Sequence, residues 1–440
     1  MQLTPDIMHP RRQALTNELH ARPFQPFEAP GRIMHLAFKE PVNAAERDRQ
    51  GDVDHLKAFL DRNGAPHPGS EAGHYIHDFG RFRMKWEQHA EFVSYTFYTN
   101  EEAEGLFGHK LSGLIEQSWM ETAPGRVISA IEIELIRAED EAAALSLLDT
   151  RLKGKFSAEV IAASRILDGG GIALGDFRIH EAGFSRFAII VHAEVGTRRI
   201  GRAVQRLLEI ETYKALSLLA LPIARKTAAR LNEIELDLTE LVAHVSSADG
   251  PAATDILDKL SALSAEIEAL SASAAFRFGA AEAYSKIVND RIATLRETRI
   301  EGRQLFWEFM LRRYDPAMQT CISARRRLEE LATRASRIAE LLRTRVDVDM
   351  EAQNQKLLRS MDRRAELQLR LQHTVESVSV VAISYYAVNL GAYLLAPFAG
   401  ALGVTKAVLT ALIAVPVILG AWALSRMVRK RLAREEQDRR

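Results

Sequence analysis

His67, His74 and His77 lie close together in the chain, and His74-Tyr75-Ile76-His77 has the H-x-x-H spacing with which two imidazoles can share a zinc ion. The surrounding residues argue against convergence. They read as a strand, in which positions three apart point to opposite faces. Glu18, His20 and Arg22 bring an acid, an imidazole and a guanidinium into one short segment. Residues two apart do not share a helix face, so this segment is expected to dock through polar contacts instead of doing acid–base chemistry. Gly169-Gly170-Gly171 follows a strand pattern but lacks the Lys-Ser/Thr pair of a phosphate loop, and no G-x-G-x-x-G opens a helix, so a hairpin turn is expected there. The sequence contains no G-x-S-x-G, no H-E-x-x-H and no Cys–His arrangement for nucleophilic attack. The reading is therefore a protein that is not an enzyme, with no catalytic residue, cofactor or metal assigned.

The remaining polar residue of note is Asn389, because it falls in a stretch where an amide is costly. From Ser377 to Thr405 no charge interrupts the chain, and after Lys406 a second uncharged run extends from Ala407 to Ser425. A helix rises about 1.5 Å per residue, so each run can cross about 30 Å of hydrocarbon. Spans over 375–395 and 407–424 are expected, forming a transmembrane hairpin. Arg363, Arg364 and Arg370 precede the first span, and Arg426, Arg429, Lys430 and Arg431 follow the second; Lys406 is the lone charge between them. Lys and Arg collect in cytoplasmic flanks, so both termini are expected in the cytoplasm and the loop 396–406 outside. In this setting Asn389 either hydrogen-bonds to a neighbouring helix or, repeated by symmetry, presents its carbonyl to a hydrated cation. Tyr385 and Tyr386 sit near mid-span, where packing between subunits is expected of them.

Composition bounds the rest. The chain has 440 residues, with Lys plus Arg and Asp plus Glu at 58 each. Such a balance argues against a nucleic-acid partner, which asks for a basic excess. The single cysteine, Cys321, suits a reducing compartment. The first residues lack an apolar core behind a basic start, so no cleaved signal peptide is expected.

Elements that position these residues follow from hydrophobic period and turn chemistry. A short helix is predicted over 10–21, a strand over 31–39 and an amphipathic helix over 43–62. The Tyr/Phe/Val/Ile-rich stretch 74–99 predicts a three-stranded antiparallel meander. Helix over 101–119, strand over 126–136, helix over 139–152 and three strands between 157 and 194 follow. Residues 1–195 thus read as an α+β domain that can be built from two similar halves. Beyond Gly196 the pattern is helical: 201–245 with a kink or break at Pro222, 254–300, and a third helix begun by an Asp315 cap with Pro316 in its first turn. Nothing stops that third helix before the first span. Apolar positions Ala335, Ile338, Leu342, Val346, Met350, Leu357 and Met361 recur along it at spacings of three, four or seven. The domain plan is α+β over 1–195, a long-helix, coiled-coil-like stalk over 196–370, the hairpin over 371–425 and a basic cytoplasmic tail over 426–440. Stripe burial against other copies predicts a homo-oligomer.

Two resemblances attach to these residues. The segments His9–Phe38, containing ELHARP, and Gln353–Tyr386, containing RAELQLRLQHTVE, resemble a bacterial domain-of-unknown-function family of uncharacterised membrane-anchored proteins. That likeness spans essentially the whole chain and implies a topology but no activity. The order of cytoplasmic α/β domain, stalk helix, span, short outer loop, span and basic tail is similar to that of the CorA-type metal-ion transporters, which are homopentamers. That family ends its first span in Gly-Met-Asn, whereas here Tyr386-Ala387-Val388-Asn389-Leu390 keeps only the Asn, and the loop 396–406 has no carboxylate. What the resemblance implies is a homo-oligomer, pentameric in that family, in the bacterial cytoplasmic membrane that conducts an inorganic ion. The alternative is a membrane-anchored scaffold or sensor whose cytoplasmic domain binds a partner or ligand without transport.

Overall fold

Ile33, Met34, Leu36 and Phe38, buried on both faces between Arg32, His35 and Lys39, make Gly31–Lys39 (β1) a strand with its predicted bounds. In the computed structural model, which describes residues 24–41, 47–69, 72–101, 105–108, 113, 115–157, 161–246, 253–398 and 405–437, with 9, 11, 12, 15 and 16 besides, β1 is a central strand of a nine-stranded sheet. Helix α1 (Arg49–Arg62) starts later than predicted, because Asp48 has extended backbone and its side chain caps the Gln50 N–H at 2.9 Å. The meander is β2 (His74–Asp78), β3 (Arg83–Gln88) and β4 (Val93–Thr99). The helix predicted over 101–119 is corrected: of its described residues only those in α2 (Gln117–Glu121) are α-helical, and Gly105 and Phe107 adopt positive φ, which a right-handed helix excludes. Then come β5 (Arg126–Ala138), α3 (Glu141–Thr150), β6 (Ala162–Ile166), β7 (Gly171–Ile179) and β8 (Ser185–His192). Gly169, at φ +87°, lies in the tight turn between β6 and β7, as the triple glycine foretold.

The strands run in the order β2-β3-β4-β1-β5-β8-β7-β6-β9, where β9 is the short Thr298–Arg299. Both β1–α1–β2–β3–β4 and β5–α3–β6–β7–β8 place the first strand of the run beside its last. The repeats differ at that joint: β1 pairs β4 antiparallel, whereas β5 pairs β8 parallel. They meet where β1 pairs antiparallel with β5. One face of the sheet carries two apolar clusters. The first packs Phe38, Trp86, Tyr95 and Phe97 against Leu56 and Phe59 of α1 and against Trp119; the second packs Ile136, Leu174 and Ile190 against Ala144 and Leu148 of α3. Inside the first cluster the His55 ring stacks on Trp119 with centroids 4.3 Å apart. Its Nε2 lies 3.0 Å from the Trp119 carbonyl, which only accepts, so Nδ1 accepts from the Tyr95 hydroxyl at 2.7 Å. Burial lowers the His55 pKa and keeps this imidazole neutral.

The opposite face is covered by helices. The predicted 201–245 helix is two, α4 (Thr197–Leu218) and α5 (Ala220–Ser246), with Pro222 in the first turn of α5, where its missing N–H costs nothing. Helix α6 (Ala253–Leu295) ends earlier than predicted, at Arg296 with φ 50°, and the chain then joins the sheet as β9. A helix missed in the sequence, α7 (Phe306–Arg313), follows; the Glu297 carboxylate accepts from the N–H groups of Phe306 and Trp307 at its start, at 2.9 and 2.7 Å. Asp315 is the first helical residue of α8 (Asp315–Leu395), not a cap outside it. Arg327 of α8 bonds Asn232 and Glu235 of α5, and Arg325 bonds Glu282 of α6, so this arginine run ties helices together as well as meeting solvent.

Two compact units are present, Met1–Ala339 and Glu340–Arg440. In the first, Leu331, Ala335 and Ile338 of α8 are buried, as is Leu342 just beyond its boundary; farther along, Met350, Leu357 and Met361 are exposed. The second unit contains the rest of α8, a short 3-10 turn at Ala396–Phe398 and α9 (Lys406–Gln437). The predicted helix over 10–21, apart from 11, 12, 15 and 16, lies outside the described residues, as do Glu18, His20 and Arg22.

Truncation of Trp119 to Ala removes the ring that stacks on His55 and fills the first core. It is expected to cost about 3–5 kcal/mol of stability, read as a lower unfolding midpoint by circular dichroism.

Candidate functional site: a polar cavity under the helices

Strands β3 and β4 alternate in a way that ordinarily marks a sheet with one wet face. Met84 and Trp86 alternate with Lys85 and Glu87, and Val93, Tyr95 and Phe97 alternate with Ser94 and Thr96. The structure buries both faces: Lys85 is 3% exposed, Ser94 1% and Thr96 2%. Cross-strand register sets Lys85 beside Thr96 and Thr96 beside His35, giving one polar row across β3, β4 and β1. Helices α4 and α6 pass over this row without filling the space beneath them. They leave a cavity of about 330 Å³ between the polar row and Gln205, Leu208, Thr212 and Arg291. Such a volume lies at the lower end of the range for small-molecule sites.

Each wall has its own chemistry. On the sheet, the Lys85 ammonium pairs with Glu87 at 3.0 Å, and both side chains are largely withdrawn from water. His35 lies between two hydroxyls, with Nδ1 2.8 Å from Thr96 Oγ1 and Nε2 3.3 Å from Thr212 Oγ1. Burial, reinforced by the nearby Lys85 charge, pushes the His35 pKa down to about 3. The imidazole is therefore neutral at physiological pH, donating through one nitrogen and accepting through the other. Burial also raises the Tyr98 pKa, so its phenol stays protonated. On the helical wall, Glu209 accepts from Gln205 Nε2 at 2.8 Å and is paired with Arg291. The Gln205 amide oxygen is buried and has no hydrogen-bond partner. An unpaired buried acceptor is costly.

None of these residues stood out in the sequence as a site. The signal available was the polar alternation of β3 and β4; only the packing of α4 and α6 turns that face inward. Of the histidines that did stand out, His67 pairs with Asp61 at 2.7 Å, while His77 stacks with Tyr75, its same-face neighbour in β2, leaving His74 on the other face. Among the described residues no group of three or more His, Cys, Asp or Glu is placed to hold a metal ion. Cys321 is buried, and burial raises its thiol pKa.

The membrane-type residues lie in the second unit. Asn389 is half-buried, whereas Tyr385 and Tyr386 are exposed at 66% and 72%, with their rings 5.8 Å apart. The two apolar helices approach closely where α8 has Gly391: a Cβ added there would sit 3.2 Å from Ile413 of α9. The helices are long and apolar enough to cross a membrane, and Val381, Leu390, Leu412 and Leu419 of their surface are exposed. Arg363, Arg364 and Arg370 are exposed, Arg370 bonding Glu366 at 2.8 Å, and the Arg426 guanidinium lies 5.1 Å from the Trp422 ring centroid. Lys406 opens α9, which also contains Arg429, Lys430 and Arg431; the side chains of all four lie outside the described residues.

The family described as "Protein of unknown function (DUF3422)" matches residues 7–432. The chain belongs to the DUF3422 family. That assignment agrees with the whole-chain likeness read from ELHARP and RAELQLRLQHTVE. No curated protein matches the sequence.

Because His35 is held neutral in the folded state and titrates freely near pH 6.5 when unfolded, the unfolded state binds the extra proton between these values. Stability is expected to fall as pH drops from about 6.5 toward 3. Replacing His35 with Gln should flatten that part of the profile in thermal melts between pH 7 and pH 4.

Proposed function

We propose that this DUF3422 protein is a membrane-anchored, ligand-responsive protein: a cytoplasmic α+β body that binds a small polar molecule, held at the bilayer by a two-helix hairpin. The observation that carries this reading is the cavity of about 330 Å³ lined by the polar residues His35, Lys85, Ser94, Thr96 and Thr212. Buried polar groups need partners, and in a space of this size one small polar molecule can supply several of them at once. The anchor rests on the exposed apolar surface of 375–395 and 407–424, which water does not tolerate, and on the basic residues that flank both spans. By the positive-inside rule both termini and the body face the cytoplasm of a bacterial inner-membrane protein.

The partner we assign to α8 is another copy of the chain. Residues 347–375 are exposed on all sides of the helix, Leu357, Met361 and Leu371 among them. A lone helix of this kind is marginal in water, and coiled-coil pairing between copies would cover its apolar positions. Ion conduction of the CorA type is the second reading. It is favoured by the continuity of α8 from the body into the first span and by half-buried Asn389 within that span.

Three measurements separate these ideas. Deleting everything beyond Leu371 is expected to move the protein from the membrane to the soluble fraction, and a truncated chain that still sediments with membranes would contradict the anchor. Leu208→Trp, which fills the cavity, should abolish thermal stabilisation by any small-molecule ligand of the wild-type protein; stabilisation that survives it places ligand binding elsewhere. Proteoliposomes should show no flux of Mg²⁺, Zn²⁺, K⁺ or Cl⁻, whereas flux that Asn389→Ala reduces would favour conduction.

A further inference from the structure

Arginines collect where the start of α4 meets the end of α6. The two helices pack side by side and antiparallel: Tyr213 meets Tyr284 with ring centroids 5.3 Å apart, and one turn earlier on α4 Glu209 pairs with Arg291, farther along α6. Arg206 and Arg202 come next on the α4 face that carries Glu209, three and seven residues before it. At the far end Asp168, in the β6–β7 turn, accepts from Arg199 of α4 at 3.0 Å and pairs at 3.6 Å with Arg296, the residue after α6. The two carboxylates thus hold the ends of a strip and leave its middle unanswered. Among the described residues Arg202 and Arg206, both half-buried, have no ion pair. The Arg202 guanidinium lies 5.2 Å from the Phe24 ring centroid. Burial lowers the Arg206 pKa, and the charges of Arg202, Arg291 and Arg296 lower it further, against the opposing pull of Glu209. A guanidinium does not shed its proton in a protein, so an anion is what relieves the repulsion among the four.

Charge decides the class of anion. Four guanidiniums, those of Arg202, Arg206, Arg291 and Arg296, are answered by two carboxylates, Glu209 and Asp168, which leaves a surplus of two positive charges. A carboxylate ligand would cancel one of them. A phosphate monoester carries about −1.5 to −2 charges at pH 7 and offers three strong acceptor oxygens, which guanidinium forks bind two at a time. We infer that the strip formed by Arg202, Arg206, Arg291 and Arg296 binds the phosphate group of a phosphomonoester. The unpaired Arg202 and Arg206 supply the main donors, while Arg291 and Arg296 are held in place by Glu209 and Asp168. Binding is reversible and non-covalent, with no bond to phosphorus made or broken. The group can arrive on a soluble metabolite or on a lipid headgroup, and its chemistry at the arginines is the same. Arg291 also lines the cavity, so the two sites adjoin, but an empty cavity would leave the phosphate site as it is.

The test is isothermal titration calorimetry on the full chain in phosphatidylcholine nanodiscs and phosphate-free buffer. Inorganic phosphate, glycerol phosphate and AMP are the probes, with glycerol and adenosine as their unphosphorylated counterparts. Saturable binding of at least one phosphomonoester is expected, tenfold or more tighter than that of its counterpart. Arg206→Gln and Arg202→Gln should each weaken it tenfold or more, with circular dichroism establishing that both variants are folded. Nanodiscs that also contain phosphatidic acid, whose headgroup is itself a phosphomonoester, separate the two sources. Soluble probes that bind equally well in both kinds of disc assign the site to a metabolite, and binding suppressed by phosphatidic acid assigns it to the lipid; either result upholds the site. No saturable heat with any phosphate compound in the phosphatidylcholine discs, or affinity that survives both arginine substitutions, would overturn it. An equal response to chloride at matched ionic strength would do the same, by reducing the effect to screening.

Discussion

Covering a polar sheet face with helices is the constraint on which the rest of the body depends. Strands β3, β4 and β1 present Lys85, Thr96 and His35 in one cross-strand row, and α4 and α6 close over it. Once water is excluded, every polar atom in that row must find a partner or pay for the lack of one. Lys85 finds Glu87, and His35 finds two hydroxyls at the cost of giving up its proton. Gln205 gives its N–H to Glu209 and leaves its oxygen bare.

The other face of the same sheet solves a different problem. There the side chains of β1, β3 and β4 are Phe38, Trp86, Tyr95 and Phe97, packed on α1, with a hydrogen-bond relay from Tyr95 to His55 to the Trp119 carbonyl and a return bond from Trp119 Nε1 to the His55 carbonyl. A strand whose two faces differ this much has a fixed register, since slipping by one residue would drive Lys85 and Glu87 into the aromatic core. The same alternation that builds the cavity therefore also guards the fold. In the second unit the balance is reversed. Apolar surface is exposed there, and the close approach at Gly391 and Ile413 covers only part of it.

Much of the architecture was legible in advance because it depends on local pattern. The bounds of β1, the three strands of the meander, the β6–β7 turn and the two apolar helices follow from period, turn residues and runs free of charge. Errors arose where one position overrides a pattern. Gly105 and Phe107 interrupt a stretch of otherwise helical composition, and α7 escaped notice because its start is stabilised by Glu297, which precedes it in sequence and lies outside its own helical period. The H-x-x-H spacing at His74 falls on a strand, as its composition implied, which sets its two histidines on opposite faces. The site residues were invisible for a different reason: a polar residue alternating with apolar ones signals solvent unless something distant covers it.

The sequence by itself determined the family, through strings that run the length of the chain, and the existence of two helices apolar enough for a bilayer, since both are properties of consecutive residues. Tertiary structure alone decided that Lys85, His35, Gln205 and Arg291 share one cavity. These four come from β3, β1, α4 and α6, and no local interaction links them. What joins them is the burial of a sheet face by helices that begin more than a hundred residues later, a long-range contact that hydrophobic period does not encode.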